Sequence, residues 1–478
     1  MDKALKKETR KGIIWSGVQR FSTQGLQFLV TLVIARFLTP HDYGTVGMLG
    51  IFLAIASVFI DCGFTSALTR KSDRNQADCS TVFFFNIAIA FIAYVILFIC
   101  APYIALFYNM PPLAIVLRIM GITLIINSFA AVQATLLTAN LNFKSQSHIA
   151  IISLCIAGSV AIVMAIQGHS YWALVVQSIC SSTISTALYW HYSSWRPSLT
   201  FSKKSFNELF GFGSKLLATS LIDTIYNNIY SLIIGKFFSS SILGNYSRAE
   251  SYANFPSVSF TGIIQRVTYP VLCKLQDDED ELSHDYRKFL KLSAFIIFPL
   301  MMGLSALSYP FIMITIGHQW EFCSLLLKIL CFGLMWYPIH AINLSLLQVK
   351  GRTDLALRLE IIKKIVGVII LCISVPFGII IMCYSRILNS MICLFINSYY
   401  SKELINLSTL KQIHDLLPTF LISFAMFLAI TVMNMYISNV WLQLVMGSLV
   451  GGMIYLSLSY LFNREEFTTI TSLIQNKS

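Results

Sequence analysis

The stretch Ile34–Gly44, I-A-R-F-L-T-P-H-D-Y-G, closes the first long apolar segment of the chain and opens the second. A second copy stands two hundred residues later, Ile234–Gly244, I-G-K-F-F-S-S-S-I-L-G. Without a gap, Ile34 falls on Ile234, Arg36 on Lys236, Phe37 on Phe237, Thr39 on Ser239 and Gly44 on Gly244. A weaker correspondence follows: L-R-I at Leu117–Ile119 faces L-K-I at Leu327–Ile329, and Leu136-Leu137 faces Leu346-Leu347. Two halves with one hydrophobic plan are the mark of a membrane protein made of repeats, an architecture typical of transporters.

The composition agrees. Apolar residues make up 56% of the 478 positions and charged residues 12%, where a soluble chain carries about 25%. Mean hydropathy is +0.71. Apolar runs follow one another almost end to end, which predicts an all-α polytopic membrane protein. The net charge of +12 would suggest nucleic acid in a soluble chain. Here Lys and Arg sit mostly between apolar segments, so topology accounts for them and no nucleic-acid partner is expected. The 11 cysteines form no C-x-x-C and no metal-ligand spacing, so neither metal nor cofactor is expected. The basic lead 1–11 precedes a long segment carrying Arg20, which predicts a retained helix rather than a cleaved signal.

Crossings are expected near 12–37, 43–69, 79–107, 113–139, 148–167, 170–191, 211–237, 245–273, 288–316, 322–349, 355–374, 376–400, 413–436 and 441–462. That is about fourteen, each near or above the ~20 residues a span needs. Only Pro376 and Gly378 divide the eleventh from the twelfth, so twelve or thirteen are the alternatives. The plan gives a six-helix lobe over 1–192, a cytoplasmic linker over 193–210, a second six-helix lobe over 211–400, and two further helices with a tail over 401–478. With the N-terminus inside, alternate loops hold Arg70, Lys71, Arg74, Lys144, Arg196, Lys203, Lys204, Lys274, Lys350, Lys402 and Lys411, and the opposite loops hold almost no base. Arg36 and Lys236 both fall outside, six crossings apart. The two lobes therefore share one orientation, related by a pseudo-two-fold along the membrane normal.

Ionisable groups inside the membrane are costly and mark pathways or partners. Arg20, Asp61, Lys215, Asp223, Arg248, Glu250 and Arg266 fall on the first, second, seventh and eighth crossings, the equivalent pairs of the two halves. Arg20 and Asp61 lie at similar depth and can form an ion pair. Lys215 and Arg266 lie near the inner face. Asp223 is nearest mid-membrane, with no neighbour evident in sequence. With Asp61 and Glu250 it is a candidate for proton or cation coupling. Asn227 and Asn228 stand beside Tyr226 and Tyr230 on the seventh crossing and suit sugar hydroxyls. Pro256, Pro270, Pro299, Pro310 and Pro338 predict more bent helices in the second half. His340, in Y-P-I-H-A-I-N, has no catalytic partner at a recognisable spacing and reads as structural. No nucleotide-binding fingerprint is present.

The L-T-P-H-D-Y-G of Leu38–Gly44, preceded by I-A-R, resembles the signature of bacterial polysaccharide transporters. These are the O-antigen and capsule flippases of the multidrug/oligosaccharidyl-lipid/polysaccharide exporter superfamily. G-N-Y-S-R-A at Gly244–Ala249 and R-V-T-Y-P-V-L at Arg266–Leu272 are similar to the colanic-acid-type branch. The resemblance implies two six-helix lobes around a central cavity in the cell inner membrane. It implies transfer of undecaprenyl-pyrophosphate-linked oligosaccharide between leaflets by alternating access, alongside other polysaccharide assembly proteins. It also gives Arg248 and Arg266 the anionic head of that substrate; Arg20 and Lys215 join them by position alone. Two competing readings are a cation-coupled drug exporter of the same superfamily and a membrane polymerase or acyltransferase. Bases outnumber acids on the central helices, against the first. The outer loops are too short to hold an active site, against the second.

Overall fold

The computed structural model describes residues 23–71 and 73–475. Arg20 lies outside the described residues. Among the described residues, all regular structure is helical. The chain forms two compact units, Met1–Gly244 and Asn245–Ser478.

The first unit holds α1 (Thr23–Phe37), α2 (Pro40–Gly47), α3 (Gly50–Asp61), α4 (Phe64–Arg70), α5 (Gln76–Phe107), α6 (Leu113–Ser128), α7 (Ala131–Ala139), α8 (Phe143–Ile166), α9 (Trp172–Tyr192) and α10 (Lys203–Phe237), together with the start of α11 (Ser240–Lys274). The repeated stretch owes its residues to a helix start. Thr39 is extended and its hydroxyl accepts from the Asp42 N–H at 3.3 Å, while the Asp42 carboxylate accepts from the Thr39 N–H at 2.8 Å. This is a capping box, and Pro40 occupies the first turn, where its missing N–H costs nothing. In the second copy the Ser239 hydroxyl accepts from the Ile242 N–H at 3.2 Å, the same cap without the acid.

The shared glycine has a different cause. A Cβ added at Gly44 would overlap the main-chain carbonyl of Ser240, and one at Gly244 would overlap that of Pro40. Pro40 and Ser240 are equivalent positions, so the contact is reciprocal, as in a two-fold interface. Only glycine allows two backbones this close. Gly63 and Gly213 make a second such crossing. A Cβ at Gly213 would overlap the Cys62 carbonyl, which seats α10 against the turn between α3 and α4.

The entry to α10 is fixed by more than that crossing. Phe64, Phe85, Phe206 and Phe210 form an aromatic cluster with ring centroids 4.9–6.3 Å apart. Lys71 pairs with Asp78 at 3.1 Å and Glu208 at 3.0 Å. The hydrogen bond to Glu208, aided by Asp78, holds the Lys71 ammonium above its usual range. Residues 193–202 are not helical. They lie on the start of α5, where Trp195 donates to Gln76 at 2.7 Å and the Ser202 N–H donates to Thr81 at 2.9 Å.

The second unit continues α11 and adds α12 (Glu279–Ala306), α13 (Ser308–Thr315), α14 (Glu321–Leu334), α15 (Tyr337–Val349), α16 (Thr353–Ser374), α17 (Ile379–Ser398), α18 (Ser401–Ile405), α19 (Thr409–Tyr436), α20 (Val440–Phe462) and α21 (Arg464–Gln475). The acidic stretch D-D-E-D-E at Asp277–Glu281 leads into α12, which starts at Glu279. Asp278 caps it, accepting from the N–H groups of Asp280 and Glu281 at 3.1 and 3.0 Å, and the following acids suit the positive end of the helix dipole. Leu282, Tyr286, Leu290 and Ile297 form its buried stripe. Inside the unit Tyr286 donates to Asn343 at 2.7 Å, and Arg287 holds Asp415 of α19 through two bonds of 2.7 Å. Tyr455 of α20 donates to the Phe295 carbonyl at 2.6 Å. The two C-terminal long helices are thereby fastened to α12.

The eleventh and twelfth apolar segments are separate helices, α16 and α17, divided by a single 3-10 turn at Val375–Phe377. Among the described residues 8 helices are long and apolar enough to cross a membrane, and 9 if the pair α6 and α7 counts as one span. That pair bends by 46° and contains no proline. In the second unit Pro310 and Pro338 stand in the first turns of α13 and α15, whereas α11 stays helical through Pro256 and Pro270, and α12 through Pro299.

Candidate functional site

The helices α10 and α11 differ from the rest. Each has 35 residues, about 52 Å at 1.5 Å per residue, well beyond the ~30 Å hydrocarbon thickness. Neither is apolar enough to qualify as a span, because each carries charges along its middle.

In the first unit, Lys215 lies two residues past the Gly213 crossing. Its side chain is exposed and has no hydrogen bond or ion pair among the described residues. Asp223, Tyr226, Asn227 and Tyr230 follow at spacings that put them on one side of α10. Asn227 is exposed and Asn228 half-buried, its amide donating to the Thr224 carbonyl at 2.8 Å. Asp223 is half-buried and, contrary to its isolated look in sequence, interacts with a neighbour, as do Tyr226 and Tyr230. Asp61 ends α3, where its carboxylate accepts from the Thr65 N–H at 3.3 Å and from the Thr65 hydroxyl. It therefore caps α4. Its expected partner, Arg20, lies outside the described residues.

In the second unit, the structure brings together three groups on two helices. The Arg386 guanidinium of α17 donates both to the Glu250 carboxylate and to the Tyr246 hydroxyl, one turn apart on α11. Tyr246 also donates to Glu250, at 3.4 Å. The ion pair is mostly enclosed, with 23% and 26% of the two side chains exposed. Arg386 falls on the twelfth apolar segment, 136 residues from Glu250, and no pattern near it in sequence marks the pairing. Arg248, two residues before Glu250, is half-buried and also engaged. Arg266 is exposed, with no ion pair among the described residues. Arg248 and Arg266 share one continuous helix, so eighteen residues separate them by about 27 Å.

Two further groups on the later helices have polar partners. His340 shares a 3.1 Å hydrogen bond with Ser390, which donates to the Gly333 carbonyl at 2.9 Å. Lys363 pairs with Glu360 at 2.5 Å. Among the described residues no group of three or more His, Cys, Asp or Glu is placed to hold a metal. The first unit also has an apolar hollow of about 380 Å³ between α3 and α5, lined by Phe52, Ile55, Phe59, Ile92 and Ile96.

Charged helices set among apolar spans define a multi-pass membrane protein whose polar groups mark a candidate site. The fold is similar to that of the lipid II flippase MurJ in an inward closed conformation, with a TM-score of 0.78, 17% identity, and coverage of 95% of this chain and 99% of that one. The chain belongs to the family described as polysaccharide biosynthesis protein, whose sequence profile matches residues 33–325, both copies of the repeated stretch included. It is 24% identical to the lipopolysaccharide biosynthesis protein WzxC of Escherichia coli (strain K12) over 444 residues, 88% of each chain. It is also 24% identical to the teichuronic acid biosynthesis protein TuaB of Bacillus subtilis (strain 168) over 355 residues, 74% of each.

Proposed function

We propose that this protein is a flippase that moves undecaprenyl-pyrophosphate-linked oligosaccharide from the inner to the outer leaflet of a bacterial inner membrane by alternating access, for surface polysaccharide synthesis. The observation that carries the reading is membership of the polysaccharide biosynthesis family, and each unit supports it with a long charged helix: α10 with Lys215, Asn227 and Asn228 in the first, α11 with Arg248 and Arg266 in the second. The polar head of a lipid-linked sugar cannot cross hydrocarbon unaided. Guanidinium groups suit its pyrophosphate through bidentate, charge-assisted bonds.

In this reading Arg266 receives the head near the inner leaflet and Arg248 meets it near the outer side, since 27 Å is too far for both to hold one pyrophosphate. Lys215 and Arg20 add positive charge at the inner end, and Asn227 and Asn228 meet sugar hydroxyls. Asp223, midway along α10, is the acid assigned to proton or cation coupling. Asp61 and Glu250 were candidates too, but their bonds to Thr65 and Arg386 favour structural duty. The N-terminus is cytoplasmic, and two six-helix lobes, 1–192 and 211–400, work in the same orientation, with 401–478 appended. A polymerase or acyltransferase finds no support in His340, whose hydrogen bond is to Ser390 and not to an acid or a nucleophile placed for catalysis among the described residues.

The test is expression in a strain whose own flippase is deleted. Restored surface polysaccharide supports the reading. No restoration across several acceptor strains, with the protein present in their membranes, counts against it.

A further inference from the structure

Arg118 and Lys328 are the central residues of L-R-I and L-K-I, which correspond in the two halves of the sequence. Each sets a cation against a ring of a neighbouring helix. The Arg118 guanidinium of α6 lies 4.2 Å from the ring centroid of Phe98 on α5, and the Lys328 ammonium of α14 lies 5.7 Å from that of Phe427 on α19. Beyond this the two differ. Pro102, inside α5, has no N–H for the carbonyl four residues before it, that of Phe98, and Arg118 donates to this carbonyl at 3.3 Å. Lys328 has no hydrogen bond or ion pair among the described residues. It is half-buried in the apolar span His318–Val349. A cation in such a place calls for an anionic or polar partner, and its own chain gives it only a ring.

What adjoins Lys328 in the second unit is apolar. The ring of Phe332, one turn along α14, packs on Phe427 at 5.2 Å. From Phe427 the rings of Phe424 and Phe420 follow along α19, with successive centroids 5.8 and 6.1 Å apart, and Trp336 stacks on Phe420 at 6.3 Å. This aromatic wall leads into a hollow of about 240 Å³ whose lining is apolar and includes Phe332, Trp336, Met391, Ile413, Leu417 and Phe420. Leu417 is 44% exposed, so the hollow opens on the surface of the unit. From Phe427 to Ile413 the wall and hollow run along fourteen residues of α19, about 21 Å, the reach of one extended acyl chain. Lys328 itself stands seven residues from the start of α14, about 10 Å. A lysine stem extends far enough to bring its ammonium up toward the headgroup level from there.

We propose that this trough holds one anionic phospholipid of the bilayer, with its phosphate on the Lys328 ammonium and an acyl chain along the aromatic wall into the hollow between α14, α17 and α19. The occupant follows from the charge. No acid lines the hollow and none pairs with Lys328 among the described residues, so one positive charge stands uncompensated at the end of an apolar floor of acyl length. One lysine near the membrane surface favours anionic over neutral lipid by a factor of about five. The first unit has no equivalent site, because the Phe98 carbonyl already takes the Arg118 guanidinium. The proposal holds for either orientation of the chain in the membrane and stands whether or not the chain is a flippase.

The experiment uses the full chain in phosphatidylcholine nanodiscs doped with phosphatidylglycerol or phosphatidylcholine brominated on the acyl chains, since bromine quenches a tryptophan it touches. The signal of Trp336, which lines the hollow, is the difference between the protein and its Trp336→Phe variant. Half-maximal quenching of that signal is expected at an about fivefold lower mole fraction of brominated phosphatidylglycerol than of brominated phosphatidylcholine. Lys328→Gln is expected to bring the two lipids level, and Lys328→Arg to keep the preference. Lys402→Gln, which removes a charge from an exposed position of the same unit, is expected to leave the preference as it is. Lys328→Gln loses no hydrogen bond or ion pair, so its midpoint of thermal unfolding in lipid-free detergent is expected to stay unchanged. A purely structural contact with Phe427 predicts the reverse, a lower midpoint with the lipid preference intact, and that result would overturn the proposal. So would an unquenched Trp336 signal, or equal quenching by the two lipids in the unsubstituted protein. Displacement of brominated phosphatidylglycerol by a small molar fraction of undecaprenyl phosphate would overturn the phospholipid as occupant.

Discussion

Gly44 packs directly against the main-chain carbonyl of Ser240, and the equivalent glycine, Gly244, returns the contact to Pro40. The two copies of the repeated stretch thus meet each other, position for position. The threonine and serine of the stretch cap a helix, and its glycine lets two helix starts cross. Repetition in sequence and contact in space have one cause here: a two-fold crossing needs the same small residue on both sides.

Neighbouring glycines on α10 give a sharp contrast. Gly213→Ala drives a methyl group into the Cys62 carbonyl and is expected to cost ~1–3 kcal/mol or more, because backbone cannot step aside. Gly211→Ala meets nothing within 4 Å and is expected to stabilise the helix by ~0.5–1 kcal/mol. Thermal unfolding of both variants in detergent checks the pair. Gly44→Ala and Gly244→Ala should resemble Gly213→Ala.

Much of this was legible in the chain. Apolar segments and their flanking bases outlined the helices, and matched caps and glycines revealed the repeat. Other features were not legible, for physical reasons. Arg386 and Glu250 are 136 residues apart, and nothing local to either announces the bond. The bend between α6 and α7 has no proline to announce it. The Asp61 to Thr65 bond spans only four residues and lies within reach of local sequence.

The bond between Glu250 and Arg386 should be worth more as a pair than either residue alone. Arg386→Ala leaves Glu250 mostly enclosed without its counter-charge, and a loss of ~2–4 kcal/mol is expected. Glu250→Gln with Arg386→Gln should recover part of that loss. A double-mutant cycle on unfolding midpoints measures the coupling, and strict additivity would show that the contact is incidental.

Lys71 has two acidic partners of unequal weight. Asp78 has no exposed side-chain surface and also completes the cap on Asn75, while Glu208 is 55% exposed. Asp78→Ala is expected to cost ~2–4 kcal/mol, and Glu208→Gln no more than ~1 kcal/mol. High salt should narrow the effect of Glu208 and leave that of Asp78 almost unchanged.

The proposed topology predicts a labelling pattern. In a variant without its 11 native cysteines, single cysteines at Asn109, Gly168 and Gly317 should react with an impermeant thiol reagent from outside intact cells. Cysteines at Ser202 and Asp278 should react only after permeabilisation. The reverse pattern would invert the orientation.

The central claim is movement of a lipid-linked sugar between leaflets, with Arg248 and Arg266 as its anionic contacts. The most direct measurement is transfer of undecaprenyl-pyrophosphate-linked oligosaccharide across sealed vesicles containing the purified protein. The expected result is transfer well above protein-free vesicles, partly kept with Lys at both positions and abolished by Arg248→Glu with Arg266→Glu, each variant being folded and inserted to the same extent. Transfer by the wild-type protein no faster than in protein-free vesicles, under an imposed proton or sodium gradient of either sign, would contradict it.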